Sequence, residues 1–183
     1  MDILFKNQTT LNKSVTTETS KVLVNPLSQY VLLLLTLLYI CLAIDRYLLK
    51  DYPSVLVYLF FILISLIIRS QLYRIHGTKD YKQQRVLFGD EDPTINITVF
   101  EDYLELSEDF LKANKNSLLI SKNNLDASIP HNRITSVYKT KNLFVIIYGK
   151  QFALAIEKAK FTTGSSQAFE EFLLMKGIKV KQK

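Results

Sequence analysis

Few residues of this chain are of the types that perform chemistry in enzymes. It contains two histidines, His76 and His131, and one cysteine, Cys41. His131 lies in the segment 129–134 (IPHNRI), which is either the corner of an active site or a turn between two strands. No nucleophile motif, glycine-rich phosphate loop or zinc-ligand cluster accompanies it. The turn is favoured because Pro130 cannot donate a hydrogen bond to a β-ladder and therefore marks the end of a strand.

Carboxylates are the other candidate ligands, and eight of them lie between Arg85 and Lys112 with no basic residue among them. They are Asp90, Glu91, Asp92, Glu101, Asp102, Glu105, Glu108 and Asp109. Carboxylate oxygens bind calcium, but this spacing fits no calcium loop. A solvated acidic rim is favoured over a metal site, and we expect no cofactor. Cys41 is interpreted as a buried apolar residue, because a single cysteine cannot form an internal disulfide.

Two apolar segments, 30–44 and 54–68, contain no charged residue. Each is shorter than the roughly 20 residues that cross a bilayer, but helix-compatible flanking residues lengthen both. The pattern predicts transmembrane helices over 26–49 and 54–74, joined by a short external connector at 50–53. Two buried helices of a soluble core are the alternative. That alternative is disfavoured because helices this apolar on every face would find too little protein to pack against.

The net charge of +6 is unevenly distributed, with five basic residues and one acidic residue in 54–85. The basic residues are Arg69, Arg74, Lys79, Lys82 and Arg85. The positive-inside rule then places the N-terminal tail, 1–25, and the C-terminus in the cytoplasm of a bacterial-type cell. The five cations are candidate contacts to anionic lipid headgroups, each worth about 1 kcal/mol. Nucleic acid is not an expected partner, because its binders more often carry a basic patch on the folded domain itself.

A cytoplasmic domain is predicted over 94–183, after a basic juxtamembrane linker at 75–93. In this domain apolar residues alternate with polar ones, which is typical of strands. The predicted strands are 95–100, 103–107, 117–121, 125–129, 134–140, 143–149 and 151–157.

One helix is predicted near the end of the domain, over 163–177. Ser165 or Ser166 can cap it, and Gly177 is a natural stop. The basic end, 176–183, is interpreted either as a contact to anionic lipid or an acidic partner, or as a frayed tail. The predicted fold class is therefore a membrane α+β protein. A two-helix transmembrane hairpin precedes a small antiparallel sheet or partly open barrel, which the C-terminal helix caps.

The C-terminal part of the chain resembles the C-terminal domain of the bacterial YcxB-like family. The resemblance rests on 98–106 (TVFEDYLEL), 129–134, 137–161 and 169–173, and on the two spans that precede them. It implies a small pleckstrin-homology-like (PH-like) fold with no catalytic motif. Two residues depart from the family pattern. Tyr103 stands where the family usually has glycine in the first hairpin turn, and His131 stands where it usually has tryptophan.

The function expected from these features is a membrane-anchored binding module that docks a protein, peptide or lipid on the cytoplasmic face. His131 and Arg133 are the candidate residues of a docking surface. The alternative is a small membrane immunity or defence protein that protects its host from a bacteriocin or toxin. An enzyme is the least favoured class because no catalytic constellation is present. The sequence does not define the oligomeric state.

Overall fold

The computed structural model describes residues 2–89, 91–107, 128–149 and 152–183. The chain forms two compact units. A helical unit comprises Leu23–His76, and a sheet unit comprises Met1–Val22 together with Gly77–Lys183. The strand predicted at 117–121, and most of the one predicted at 125–129, lie outside the described residues.

The N-terminal residues form a strand and a helix, β1 (Phe5–Thr10) and α1 (Lys13–Leu23), where a tail over 1–25 was expected. Hydropathy does not reveal β1, because two of its inward positions are the buried polar residues Asn7 and Thr9. It does not reveal α1 either, because the buried face of that helix is largely made of hydroxyl and carboxylate side chains. Both elements therefore have one buried and one exposed face, but the buried face is too polar to show in a hydropathy pattern.

The two apolar segments lie in helix α2 (Pro26–Leu48) and helix α3 (Tyr52–Phe88). α2 begins at the expected place, where the Asn25 side chain caps its first turn. α3 continues well beyond the predicted end at residue 74, so most of the predicted linker at 75–93 is helical. No proline interrupts this stretch of helix. A single glycine, Gly77, costs a helix only about 1 kcal/mol and does not end it.

The described part of the sheet unit contains two sheets, where the sequence predicted one small antiparallel sheet or a partly open barrel. One has the strand order β4-β3-β2-β1-β8, and all its pairs are antiparallel. The other has the order β7-β6-β5-β9, in which β9 runs parallel to β5. The strands after β1 are β2 (Thr94–Val99), β3 (Tyr103–Leu106), β4 (Ser128–Pro130), β5 (Ile134–Lys139), β6 (Leu143–Tyr148), β7 (Phe152–Glu157), β8 (Phe161–Thr163) and β9 (Val180–Gln182).

Strands with clear alternation or a continuous apolar run were predicted correctly. The hairpin expected over 95–107 is β2–β3, in which Val99 pairs with Leu104. The meander expected over 134–157 is β5–β6–β7. Besides β1, two described strands were missed: β8, and β9 within 176–183, each only three residues long. Such short strands carry too few residues to show a period.

The last helix, α4 (Ser166–Met175), lies within the predicted range 163–177 and has the predicted cap and stop residues. The Ser165 side chain accepts a hydrogen bond from the Ala168 N–H (3.2 Å), and Gly177 follows the helix with φ of 73°. Phe169 on this helix is fully buried. Its ring lies 5.4–5.5 Å, centroid to centroid, from those of Phe5, Phe144 and Phe161. α4 thereby closes a core to which both sheets contribute.

The second sheet is covered on both faces. Phe144 and Ile146 of β6 belong to the main core, whereas Leu143 and Val145 belong to a second cluster. Val15 of α1 packs in that second cluster, so α1 covers the outer face of the sheet. This two-sided burial is why β6 reads as an uninterrupted apolar run.

Candidate functional site

A buried polar seam joins the two sheets between β1 and β7. The Asn7 Nδ2 donates to the Glu157 carbonyl oxygen (2.8 Å), and the Glu157 N–H donates to the Thr9 Oγ1 (2.8 Å). The Thr9 hydroxyl in turn donates to the Asn7 Oδ1 (2.7 Å). These bonds satisfy strand groups that no neighbouring strand pairs. The triplet Asn7-Gln8-Thr9 has the spacing of a glycosylation signal, but its asparagine is only 3% exposed.

Glu18 of α1 clamps the turn between β5 and β6. Its Oε1 accepts hydrogen bonds from the Thr140 hydroxyl (2.6 Å) and the Asn142 N–H (2.8 Å), and its Oε2 accepts from the Asn142 Nδ2 (3.0 Å). Burial by itself would raise the pKa of this carboxyl. The hydrogen bonds and the nearby Lys21 charge outweigh burial, so its pKa is lowered. Glu18 is therefore a charged structural residue, and nothing in the sequence distinguished it.

Helix α1 also packs against the C-terminal part of α3. The Thr16 hydroxyl donates to Gln84 Oε1 (3.1 Å), and the Ser20 hydroxyl donates to the Asp80 carboxylate (3.2 Å). Gly77 is on the same side of α3 as these partners, and a Cβ there would lie 2.5 Å from the Thr17 Cα. The two helices therefore approach each other more closely than a side chain at position 77 would allow.

An apolar cavity of about 210 Å³ lies beside α1. Val15 of α1 and Leu11, which lies two residues before that helix, contribute to its lining, and the two sheets contribute apolar side chains at its walls. Those side chains are Ile95, Leu106, Tyr148, Phe152, Ala153, Leu154 and Ala155. Its polar lining consists of Thr16, Thr19 and Gln84. Sequence reasoning did not find it, because α1 was not predicted.

The corner at 129–134 holds the histidine that first suggested chemistry. His131 is buried, and its backbone N–H donates to the Asp102 carbonyl oxygen (3.0 Å). Its Nε2 lies 3.0 Å from the Phe100 carbonyl oxygen, which can only accept, so Nε2 carries the proton. Nδ1 is then an acceptor, and it is buried without a partner among the described residues. The ring meets the Phe172 ring edge-on at 5.4 Å.

This environment makes His131 a structural residue of the corner. Burial lowers its pKa, with the positive charge of Lys176 acting in the same direction, while the Phe100 carbonyl and the charge of Asp102 oppose the shift. The residue is 8% exposed, so the ring itself offers little contact surface. Arg133, two residues on, is exposed. The structure thus keeps only Arg133 of the two predicted docking residues at the surface.

The described members of the acidic run that suggested a metal site form no common cluster. Among the described residues, no group of three or more histidine, cysteine or acidic side chains is placed to hold a metal ion. Asp92 accepts a hydrogen bond from the Tyr81 hydroxyl (2.7 Å), and Glu101 lies 3.8 Å from the Lys176 ammonium. Three of the eight acids lie outside the described residues: Asp90, Glu108 and Asp109.

Comparison with known families locates one segment of this architecture. Residues 113–173 match the model of the family described as YcxB-like protein. Residues 113–173 are therefore similar to this family and are called the YcxB-like segment below. The resemblance noted in the sequence is confirmed over this range, which runs from residues that are not described through β4 into α4. No curated protein and no solved structure matches the chain.

Two apolar helices precede the YcxB-like segment. Only 11% of the apolar stretch of α2, and 6% of that of α3, is buried in the protein. A core helix of a soluble protein would be mostly buried, which these two helices are not. By length and composition, both are long and apolar enough to cross a membrane. Within the helical unit, the Thr36 and Ser65 hydroxyls share a hydrogen bond of 2.8 Å and are buried. Tyr39 stacks on Phe61 nearby.

The five cations that were predicted to contact lipid headgroups lie along α3, N-terminal to the YcxB-like segment. Arg85 follows Arg69 by 16 residues, which is about 24 Å of helix at 1.5 Å per residue. The headgroup region of one leaflet is only about 5–8 Å thick. A steeply inserted helix cannot hold all five cations at that level. Arg69 and Arg74 belong to the helical unit, whereas Lys79, Lys82 and Arg85 belong to the sheet unit.

Proposed function

We propose that the chain is a two-span membrane protein whose sheet unit is a non-enzymatic binding module at the cytoplasmic face of the cell membrane. The observation that carries this proposal is the exposure of the apolar side chains of α2 and α3. Apolar surface of this extent is unfavourable in water and favourable in lipid. The bilayer is accordingly the first partner of the protein.

The sheet unit is built from two separate segments of the chain, and this supports an even number of membrane spans between them. It contains Met1–Val22, which precedes the hairpin, and Gly77–Lys183, which follows most of it. Segments that fold into one compact unit must lie on the same side of a membrane. The positive-inside rule then assigns that side to the cytoplasm, because Arg69 and Arg74 directly follow the second apolar stretch. Those two arginines are the cations best placed for anionic headgroups.

A PH-like role for the sheet unit is supported by its layering. Two sheets are joined by the Asn7–Thr9–Glu157 seam, and α4 packs in the core that they share. The buried titratable groups His131 and Glu18 are both held by structural contacts. We therefore assign the unit to docking of a protein or peptide rather than to catalysis. The corner formed by the exposed Asn132 and Arg133 is the proposed docking surface.

Alkaline extraction of membranes tests the anchoring. An integral two-span protein should stay in the membrane pellet at high pH, as lipid solvates the apolar faces of α2 and α3. A peripheral protein would be released to the supernatant, and that result would contradict the proposal.

Site-specific photo-crosslinking in intact cells tests the docking surface. A crosslinking amino acid at Asn132 should give a discrete protein adduct. The same crosslinking amino acid placed at Gln167, which is exposed on α4, serves as the matched control and should give no discrete adduct. Adducts of equal yield at both positions, or none at Asn132, would reject this surface. An Arg133→Glu change should reduce the Asn132 adduct several-fold if the partner binds this corner.

A further inference from the structure

The cavity beside α1 has the size and lining of a small-molecule site. An engineered, enclosed apolar cavity of about 150 Å³ in another protein binds benzene, and the cavity here, which is partly open to solvent, measures about 210 Å³. Several wall residues are themselves well buried, with Ile95 and Leu106 at 2% exposure and Leu154 at 4%. The pocket is partly open to solvent and its lining is mostly apolar, so an occupant that covers the apolar walls is favoured.

The polar side chains that line the cavity are all neutral, and those of Thr16, Thr19 and Gln84 come from helices α1 and α3. No charged side chain is among the described residues that line it. The Thr19 hydroxyl donates to the Val15 carbonyl oxygen (2.9 Å), which leaves its oxygen as an acceptor. Gln84 accepts from Thr16 through Oε1, which leaves its amide nitrogen as a donor. A carboxylate, phosphate or ammonium would lack a counter-charge here and would lose its hydration.

We propose that this cavity binds a neutral amphiphile with a short aliphatic tail. The tail occupies the apolar interior between Val15, Leu106 and Leu154, and a hydroxyl or carbonyl head bonds to Thr19 and Gln84. All of these residues belong to the sheet unit. The inference therefore stands independently of the membrane anchoring and of the docking corner.

Binding would also affect α1. The cavity is lined both by α1 and by Gln84 of α3, and these two helices are already linked through Thr16. A ligand that contacts both helices stabilises their contact, since any ligand that binds only the folded arrangement favours it. Slower hydrogen exchange of the α1 amides is the expected signature.

The test uses the full chain in lipid nanodiscs, with hexanol and octanol as probes. Methyl NMR signals of Ile95, Leu106 and Leu154 should shift saturably with alcohol, while those of Val137 and Leu173 should not. An Ala153→Leu change, which fills the cavity, should weaken binding at least tenfold. The matched Ala168→Leu change lies on the exposed face of α4 and should leave binding unchanged.

A second variant keeps the test decisive if Ala153→Leu disturbs folding. Leu11→Ala enlarges the cavity and should raise the affinity for octanol relative to hexanol severalfold. Shifts that grow linearly with alcohol, or that are equal in wild type and a folded Ala153→Leu protein, would overturn the proposal. An unchanged chain-length preference in Leu11→Ala would overturn it as well.

Discussion

At the scale of single residues, the buried charge of Glu18 has a structural role that follows from its contacts and that the sequence does not indicate. Its carboxylate accepts three hydrogen bonds from the β5–β6 turn, two of them through Asn142. Hydrogen bonds to charged groups contribute about 1.5–3 kcal/mol each when well formed. The side chain therefore ties α1 to the second sheet by electrostatics rather than by apolar contact.

Replacing Glu18 by alanine should destabilise the protein by about 2–3 kcal/mol, because the Asn142 N–H loses its acceptor. Chemical denaturation of the full chain in detergent micelles measures this. Glu171→Ala, at an exposed site on α4, should change stability by less than about 0.5 kcal/mol. Equal effects of the two changes would contradict the assigned role of Glu18.

Acid should weaken the same clamp. The pKa of Glu18 is lowered in the folded protein from an ordinary value of 4.5. A carboxyl with a lowered folded pKa contributes stability above its unfolded pKa, and that contribution is lost as pH falls through the folded value. The free energy of unfolding should thus drop more steeply below about pH 4.5 in wild type than in Glu18→Gln.

His131 predicts a second pH dependence, nearer to neutrality. Burial lowers its folded pKa from an ordinary value of 6.5, so the neutral form is favoured in the folded protein. Its contribution is fully present above pH 6.5 and is lost as pH falls from there towards the folded pKa. Thermal unfolding between pH 7 and pH 5 should show this loss.

The His131→Trp protein isolates that effect. Tryptophan keeps an N–H that can donate to the Phe100 carbonyl oxygen, and it has no second ring nitrogen to protonate. The loss of stability between pH 7 and pH 5 should therefore become smaller. His76→Gln, at the exposed second histidine, should keep the wild-type slope. An identical slope in His131→Trp and wild type would show that another group titrates.

At the scale of elements, the crossing of α1 and α3 depends on the absence of a side chain at position 77. Gly77→Ala should improve intrinsic helix propensity by about 1 kcal/mol. The added Cβ would nevertheless lie 2.5 Å from the Thr17 Cα, and backbone cannot move aside cheaply. Overpacking of this kind costs about 1–3 kcal/mol, so the steric effect should prevail.

Hydrogen exchange followed by mass spectrometry measures the outcome for this crossing. Amides of α1 should exchange several-fold faster in Gly77→Ala than in wild type. Thr78→Ala, one residue further along α3, serves as the control and should leave the exchange of α1 unchanged. Unaltered protection of α1 in Gly77→Ala would mean that the helices do not cross this closely.

The same elements show how far the sequence predicts the fold. Apolar periodicity was sufficient for α2, the β2–β3 hairpin, the β5–β7 meander and α4, because burial of apolar faces determines those elements. It failed for β1 and α1, whose buried positions include Asn7, Thr9 and Glu18. Polar residues become inward-facing only when distant partners satisfy them, and those partners lie more than 120 positions away. The local pattern of residues in a sequence carries no signal for pairs this far apart.

The candidate site was predictable only in part for the same reason. Pro130 correctly indicated a strand end at the corner, and the interpretation of His131 as structural is consistent with its burial. The cavity requires α1 above β7, so it could not be predicted once residues 1–25 were taken for a tail. The five cations from Arg69 to Arg85 were likewise predicted as one set of headgroup contacts, but the length of α3 spreads them along the helix.

At the scale of the whole molecule, the chain is a sheet unit interrupted by a helical hairpin. The sheet unit needs residues from both sides of the hairpin, since β1 pairs with both β2 and β8. The two-span proposal therefore requires both ends of the hairpin to lie on the same face of the membrane. Because the sheet unit folds from segments on both sides of the hairpin, an even number of membrane crossings must separate those segments.

Labelling of single cysteines with a membrane-impermeant maleimide tests this central claim most directly. Cys41 is the only native cysteine, so a Cys41→Ser background permits one probe at Lys50 in the connector and another at Lys183. In intact spheroplasts, Lys50→Cys should be labelled, and Lys183→Cys should be labelled only after the membrane is disrupted. Labelling of Lys183→Cys from outside, or protection of Lys50→Cys until disruption, would contradict a two-span hairpin with a cytoplasmic sheet unit.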